Sequence, residues 1–229
     1  MFLVVWSIYL SDRLFDVAHC RDWGKATGRL CFGRNNQSFL VVCLVLCVLS
    51  ILALLWAGLP TEVIRRAAAV GVGVGLHFSV FVNPLFLRKR LLGKEFGVGV
   101  FFALGAYACL GATAETLPLL GAIALVVTFN CLIIAARDDE SDRANDPGGA
   151  SWWWRTIDRD LVLIGVSLAL TTIVIGILCQ HTAFYWSLAG AFTVLTVLHL
   201  YARRLSGDAV RAMADFALFT PIPVMGFMT

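Results

Sequence analysis

The chain has 229 residues, of which 59% are hydrophobic and only 14% charged, with a formal net charge of +3. Soluble domains are about half apolar and about a quarter charged, so this composition excludes an ordinary soluble protein and indicates a membrane one. The small net charge gives no reason to expect a nucleic-acid partner.

The apolar runs predict eight helical segments, at 1–18, 38–57, 67–85, 96–113, 118–136, 160–178, 183–201 and 208–228. Each is near the roughly 20 residues that a helix needs to cross a bilayer. The expected fold class is therefore all-α, a polytopic transmembrane helix bundle of about eight helices, forming a single domain over 1–229. The charges set the topology. Connections 19–37, 86–95, 137–159 and 202–207, with their flanks, carry sixteen of the eighteen basic residues, and the opposite side has only Arg65 and Arg66. Basic residues accumulate on the cytoplasmic side, so the first segment is expected to start outside and end in the cytoplasm. The start of the chain has no basic stretch ahead of its apolar run, so a cleaved signal peptide is not expected.

The first segment contains "YLSDRLFDV", residues 9–17, with Asp12 and Asp16 four apart. Such carboxylates share a helical face and repel by roughly 0.2–0.5 kcal/mol in water. The cost of one charge rises toward about 2.5–3.5 kcal/mol at the centre of a membrane helix. The pair therefore needs cations, and Arg13, Lys25 and Arg29 stand nearby in sequence. Only eleven residues precede Asp12, so this segment is short for a span.

In the third segment, "AVGVGVG" (69–75) puts glycine at every second position, which is expected to allow close helix packing. His77 lies near mid-span and is either a packing residue or a functional one. The fifth segment ends in "ARDDESDRANDPGGAS" (136–151), where Asp138 and Asp142 repeat the D-x-x-x-D spacing. Asp139, Glu140, Asp146, Asp158 and Asp160 are expected to be solvated. "WWW" (152–154) is expected to anchor the chain at the interface. His199 and Tyr201 close the seventh segment, facing either a cavity or lipid. In the eighth, Asp215 lies one turn from Arg211, and the two either neutralise each other or mark a functional acid. The seven cysteines are scattered and form no C-x-x-C, so they are expected to be small packing residues.

Both D-x-x-x-D pairs fall at expected cytoplasmic helix ends. Clustered carboxylates must take up protons or cations. The cation that suits carboxylates together with phosphate oxygens is Mg²⁺. An interfacial cavity with these groups would suit a substrate with a diphosphate head and an apolar tail.

These residues resemble the motifs of the UbiA superfamily of intramembrane prenyltransferases. "IYLSDRLFD" (8–16) is similar to the second half of that family's first motif, N-D-x-x-D-x-x-x-D, with Asp12 and Asp16 on the last two acidic positions. "DDESDRANDPGGAS" (138–151) resembles the second motif, and "NPLFLRKRLLGKEFGVG" (83–99) resembles the Y-P-x-x-K-R stretch between them. Ile8 and Tyr9 stand where the first motif has Asn and Asp, and Asn83 replaces the aromatic before the proline. Family members have nine helices, so eight here would correspond to helices two to nine.

The resemblance implies an enzyme that transfers an isoprenyl group from a polyprenyl diphosphate to an aromatic or lipid acceptor. Asp12, Asp16, Asp138 and Asp142 would be the catalytic, Mg²⁺-binding residues. Arg13, Lys25, Arg88, Lys89 and Arg90 would contact the diphosphate, with Asp139 supporting the acidic cluster. The implied partners are an isoprenyl diphosphate, an apolar acceptor and membrane lipid, and the implied location is a bacterial inner membrane with the acidic motifs in the cytoplasm. Two alternatives remain open: a non-catalytic UbiA-like protein that binds isoprenoid or lipid, motivated by Ile8 and the missing helix, and a transporter or channel using His77 and Asp215. The spacing of a CDP-alcohol phosphotransferase motif is not present.

Overall fold

A computed structural model describes residues 2–82, 94–110, 116–145, 150, 154–178 and 182–218. Every regular element among them is a helix. Ten are α-helices: α1 (Phe2–His19), α2 (Gly28–Asn35), α3 (Gln37–Trp56), α4 (Thr61–Val82), α5 (Lys94–Leu110), α6 (Thr116–Arg137), α7 (Asp139–Asn145), α8 (Ile157–Leu178), α9 (Thr182–Tyr201) and α10 (Gly207–Ala217). Two 3-10 turns, Trp23–Lys25 and Ala202–Arg204, join them. Among the described residues each expected apolar segment contains one helix. The two short helices α2 and α7 lie in stretches expected to be connections.

The chain is membrane-embedded. Four helices are long and apolar enough to cross a bilayer: α3, α6 from Leu117, α8, and α9 from Ala183 with the turn that continues it to Arg204. α5 carries a shorter apolar stretch, Glu95–Ala108. α1 contains Asp12, Arg13 and Asp16 and does not reach that apolarity among the described residues. In a bilayer every backbone N–H and C=O must be satisfied within its own segment, which is why the apolar runs are helical.

Local signals mark the ends. α3 stops at Trp56, and Gly58 takes a φ of +92°, a left-handed conformation that glycine adopts without a Cβ clash. Pro60 then leads into α4, its carbonyl accepting from Val63 and Ile64 N–H. Ser206 caps α10, its Oγ accepting from Ala209 N–H at 3.2 Å.

The core lies where α6, α8, α9 and α10 pack together, with α5 on α6 and α4 on α5. Phe129 and Phe192 meet edge to face at 5.8 Å between ring centroids, and both are fully buried. Small residues admit this packing. A Cβ on Gly165 of α8 would overlap Thr196 Oγ1 and come 2.6 Å from Phe129. A Cβ on Gly99 of α5 would strike Thr128 Oγ1 and the backbone carbonyl of Ala124. Buried hydroxyls on these helices bond back to their own turns, as Thr196 Oγ1 does to Phe192 O at 2.7 Å.

The glycines of "AVGVGVG" behave differently from one another. Gly73 faces Phe101, 3.1 Å from where its Cβ would be, whereas Gly71 and Gly75 face open space. His77 lies edge-on to Phe101 at 5.1 Å and against Gly97, which is a packing position.

A second group of helices stands beside the core. α1 packs along α3, with α2 against both. Only 6% of the apolar window of α3 is buried, so most of its valines and leucines are exposed although α1 packs along it.

Candidate functional site

Most of the charged residues gather at one end of the bundle, where α1, α6 and α9 end and α8 and α10 begin. Long-range bonds fasten this end together. Asn145, the last residue of α7, accepts through Oδ1 from Arg21 N–H (2.9 Å), Asp22 N–H (2.8 Å) and Cys20 Sγ (3.4 Å). Glu95 at the start of α5 accepts from Ala150 N–H at 2.8 Å. Asp158 at the start of α8 pairs with Arg203 at 2.7 Å, and its carbonyl meets His199 Nε2 at 2.7 Å. Arg137 donates to Leu205 O at 3.3 Å.

The first acidic pair is built on the last turns of α1. Arg13 lies between its members, with Nη2 3.2 Å from Asp12 Oδ2 and Nη1 3.0 Å from Asp16 Oδ2. The side chain of Arg13 is 8% exposed, against 31% for Asp12 and 20% for Asp16. The cation is thus buried while both carboxylates keep a face that a ligand can reach. Its guanidinium also lies 5.3 Å from the ring centre of Tyr9, a cation–π distance.

The second pair begins where α6 ends. Asp138 is buried, and Arg211 of α10 forks onto it: Nη2 is 2.5 Å from both oxygens and Nε is 3.2 Å from Oδ2. Arg211 Nη1 also meets Asp208 at 2.6 Å. Asp142 N–H bonds to Asp138 O at 2.9 Å, and the Asp142 carboxylate lies within electrostatic reach of Arg211.

Arg29 of α2 joins the two halves. Its Nη2 is 3.9 Å from Asp16 Oδ2, and it feels the charges of Arg13, Arg211 and Asp138. Burial first, and then Arg13, press its proton affinity below the usual arginine value, but an arginine so placed stays charged. One residue earlier, a Cβ on Gly28 would lie 3.5 Å from Asp208 Oδ2, so α2 abuts the start of α10.

Asp12, Asp16, Asp138, Asp142 and Arg13 therefore all lie at one end of the bundle. Among the described residues no three His, Cys, Asp or Glu side chains converge as a metal site. Lys25 closes the Trp23–Lys25 turn and is exposed. Asp139 pairs with Arg143 at 2.7 Å. Arg88, Lys89 and Arg90 lie outside the described residues.

Sequence spacing suggested Arg211 as a partner for Asp215. Arg211 instead takes Asp138 and Asp208, and Asp215 Oδ1 accepts from Asn130 Nδ2 of α6 at 3.2 Å. The signal for Arg211 was a lone cation in an expected apolar segment, which must find its counter-charge somewhere. Asn130 and Asn145 carried no such signal. No family profile, no curated protein and no solved structure matches the chain.

Proposed function

We propose that this chain is a divergent UbiA-like, Mg²⁺-dependent intramembrane prenyltransferase, transferring an isoprenyl group from a polyprenyl diphosphate to an aromatic or lipid acceptor. The observation that carries the reading is the alternation of acids and arginines at one end of an apolar bundle. Asp12, Arg13, Asp16 and Arg29 stand on one side, and Asp138, Arg211 and Asp208 on the other.

The donor chemistry suits Mg²⁺, which takes hard oxygen ligands and is content with one or two carboxylates when phosphate oxygens complete its shell. Asp12 and Asp16 would hold it from α1, and Asp138 and Asp142 from the end of α6 and α7. When bound, the ion would neutralise the charge that grows on the departing diphosphate. The chain's own arginines do the same work: Arg13, Arg29 and Arg211 are preorganised cations, costing little reorganisation as charge develops. Lys25, and Arg88, Lys89 and Arg90 by resemblance, would add contacts to the diphosphate. The apolar helices would carry the tail and exclude water from the allylic cation. The 16:2 distribution of basic residues supports a cytoplasmic position for this end, in a bacterial inner membrane by resemblance.

The test is binding of a panel of prenyl diphosphates to the purified chain, with and without Mg²⁺. Mg²⁺-dependent binding that is lost in Asp12→Ala and Asp138→Ala supports the reading. Binding of isoprenoid or lipid without Mg²⁺ and without turnover would replace it with the non-catalytic alternative, which the arginine neutralisation of Asp12, Asp16 and Asp138 favours.

A further inference from the structure

A second polar feature at the same end of the bundle is not absorbed by the prenyltransfer reading. A cavity of about 230 Å³ opens between the end of α6, the helix α7, the start of α8 and the end of α9. Its floor is apolar, with Ala136, Ile157 and Ala202. Its walls carry four arginines, Arg137, Arg143, Arg155 and Arg203, against two carboxylates, Asp139 and Asp158.

The two carboxylates are already committed. Asp139 pairs with Arg143 and Asp158 with Arg203, each at 2.7 Å. Arg137 and Arg155 make no ion pair among the described residues, and Arg137 spends one N–H on the carbonyl of Leu205. Among the described residues, two arginines without counter-ions thus line a cavity in which arginines outnumber carboxylates. At about 30 Å³ per water, the space holds roughly eight waters, or a phosphate group with part of its hydration shell. Planar guanidinium forks match phosphate oxygens better than any other side chain.

The depth of the cavity also fits. Its walls are the polar ends of three of the four membrane-crossing helices, α6, α8 and α9, which is the level of lipid headgroups. Basic pockets between helix ends at that level bind headgroup phosphates. The cavity differs from the carboxylate cluster: Asp138 turns to Arg211 of α10, while its neighbour Asp139 turns to Arg143 and the cavity.

We infer that the Arg137–Arg155 cavity is a phosphate-group site, taking the headgroup of an anionic phospholipid or a free phosphate. The site stands whether or not the chain transfers prenyl groups.

The test uses the full chain in phosphatidylcholine nanodiscs, with inorganic phosphate titrated into one arm and phosphatidylglycerol added to the lipid of the other. Binding is read by ³¹P resonance broadening in the first arm and by lipid retention in native mass spectrometry in the second. Binding in either arm, weakened about tenfold by Arg155→Gln and by Arg137→Gln and unchanged by Arg65→Gln at the far end, supports the site. The arm that responds identifies the source. Arg155 is exposed and without an ion pair among the described residues, so its variant tests binding without loss of the fold. No binding in either arm, or equal binding by Arg155→Gln, would overturn the inference. Prenyl diphosphate binding by Arg155→Gln should match wild type, which keeps this result separate from that of the acidic motifs.

Discussion

Arg211 and Asp138 are 73 positions apart in sequence and meet as a forked, nearly buried ion pair, with side chains 11% and 5% exposed. The pair ties α10 to the end of α6 and brings Asp208 with it. A buried pair is a modest net stabiliser when intact. When one partner is removed, the other is left as an uncompensated charge away from water.

Arg211→Leu should therefore destabilise the protein by about 3 kcal/mol, and Asp138→Asn by less, because Arg211 keeps Asp208 as a counter-charge and the amide oxygen can still accept from it. The double variant Arg211→Leu/Asp138→Leu should recover part of the loss. Equilibrium unfolding in mixed detergent micelles measures all three. A loss in the double variant as large as the sum of the two single losses would show that the pair is not coupled.

Arg13 serves as the internal cation for Asp12 and Asp16, and its removal should create a demand for another. In Arg13→Gln the two carboxylates lose the cation that lies between them, while Arg29 stays 3.9 Å from Asp16. Added Mg²⁺ should then raise the melting temperature of Arg13→Gln more than that of the wild-type chain, as preferential binding to the folded state requires. An identical rise in both would argue against cation uptake at the first acidic pair.

Gly99 and Gly75 offer a paired test of packing. A side chain at Gly99 meets the backbone of α6, which cannot yield locally, whereas Gly75 faces open space. Gly99→Val should cost at least about 1–3 kcal/mol. Gly75→Ala should be neutral or stabilising by up to about 1 kcal/mol, since alanine is the better helix former. Both are read by the same unfolding assay.

Asn145 fastens α7 to the turn after α1 through three donors, one of them Cys20. Burial, the largest cause, raises the Cys20 thiol above its ordinary value of 9.0. The folded chain thus holds that proton more tightly than the unfolded one. The stability this contributes is complete below about pH 9 and falls as pH climbs through the raised value. Thiolate is the reactive form, so maleimide should label exposed Cys31 well before Cys20. Asn145→Ala should speed labelling of Cys20 and increase hydrogen exchange over residues 20–25 by about tenfold. Unchanged protection would place the fastening elsewhere.

What the sequence by itself determined is the arrangement along the chain. Helix positions follow from apolar runs of spanning length, and those are one-dimensional facts: a run beginning near residue 38 and ending near 57 has to become something like α3. The placing of acids and bases at helix ends follows from the cost of charge in a bilayer, which is equally local. The pairing of charges is not local. Arg211 had Asp215 one turn away and took Asp138 instead, leaving Asp215 to Asn130, which is 85 positions distant. α2 lies in a stretch read as a connection, because a short, polar helix gains its stability from contacts with α1 and α3 and not from its composition. The cavity between Arg137 and Arg155 exists only because three helix ends meet there. Spacing constrains a residue's neighbours over a turn or two, and only tertiary packing selects among cations that are equally close in sequence or equally far.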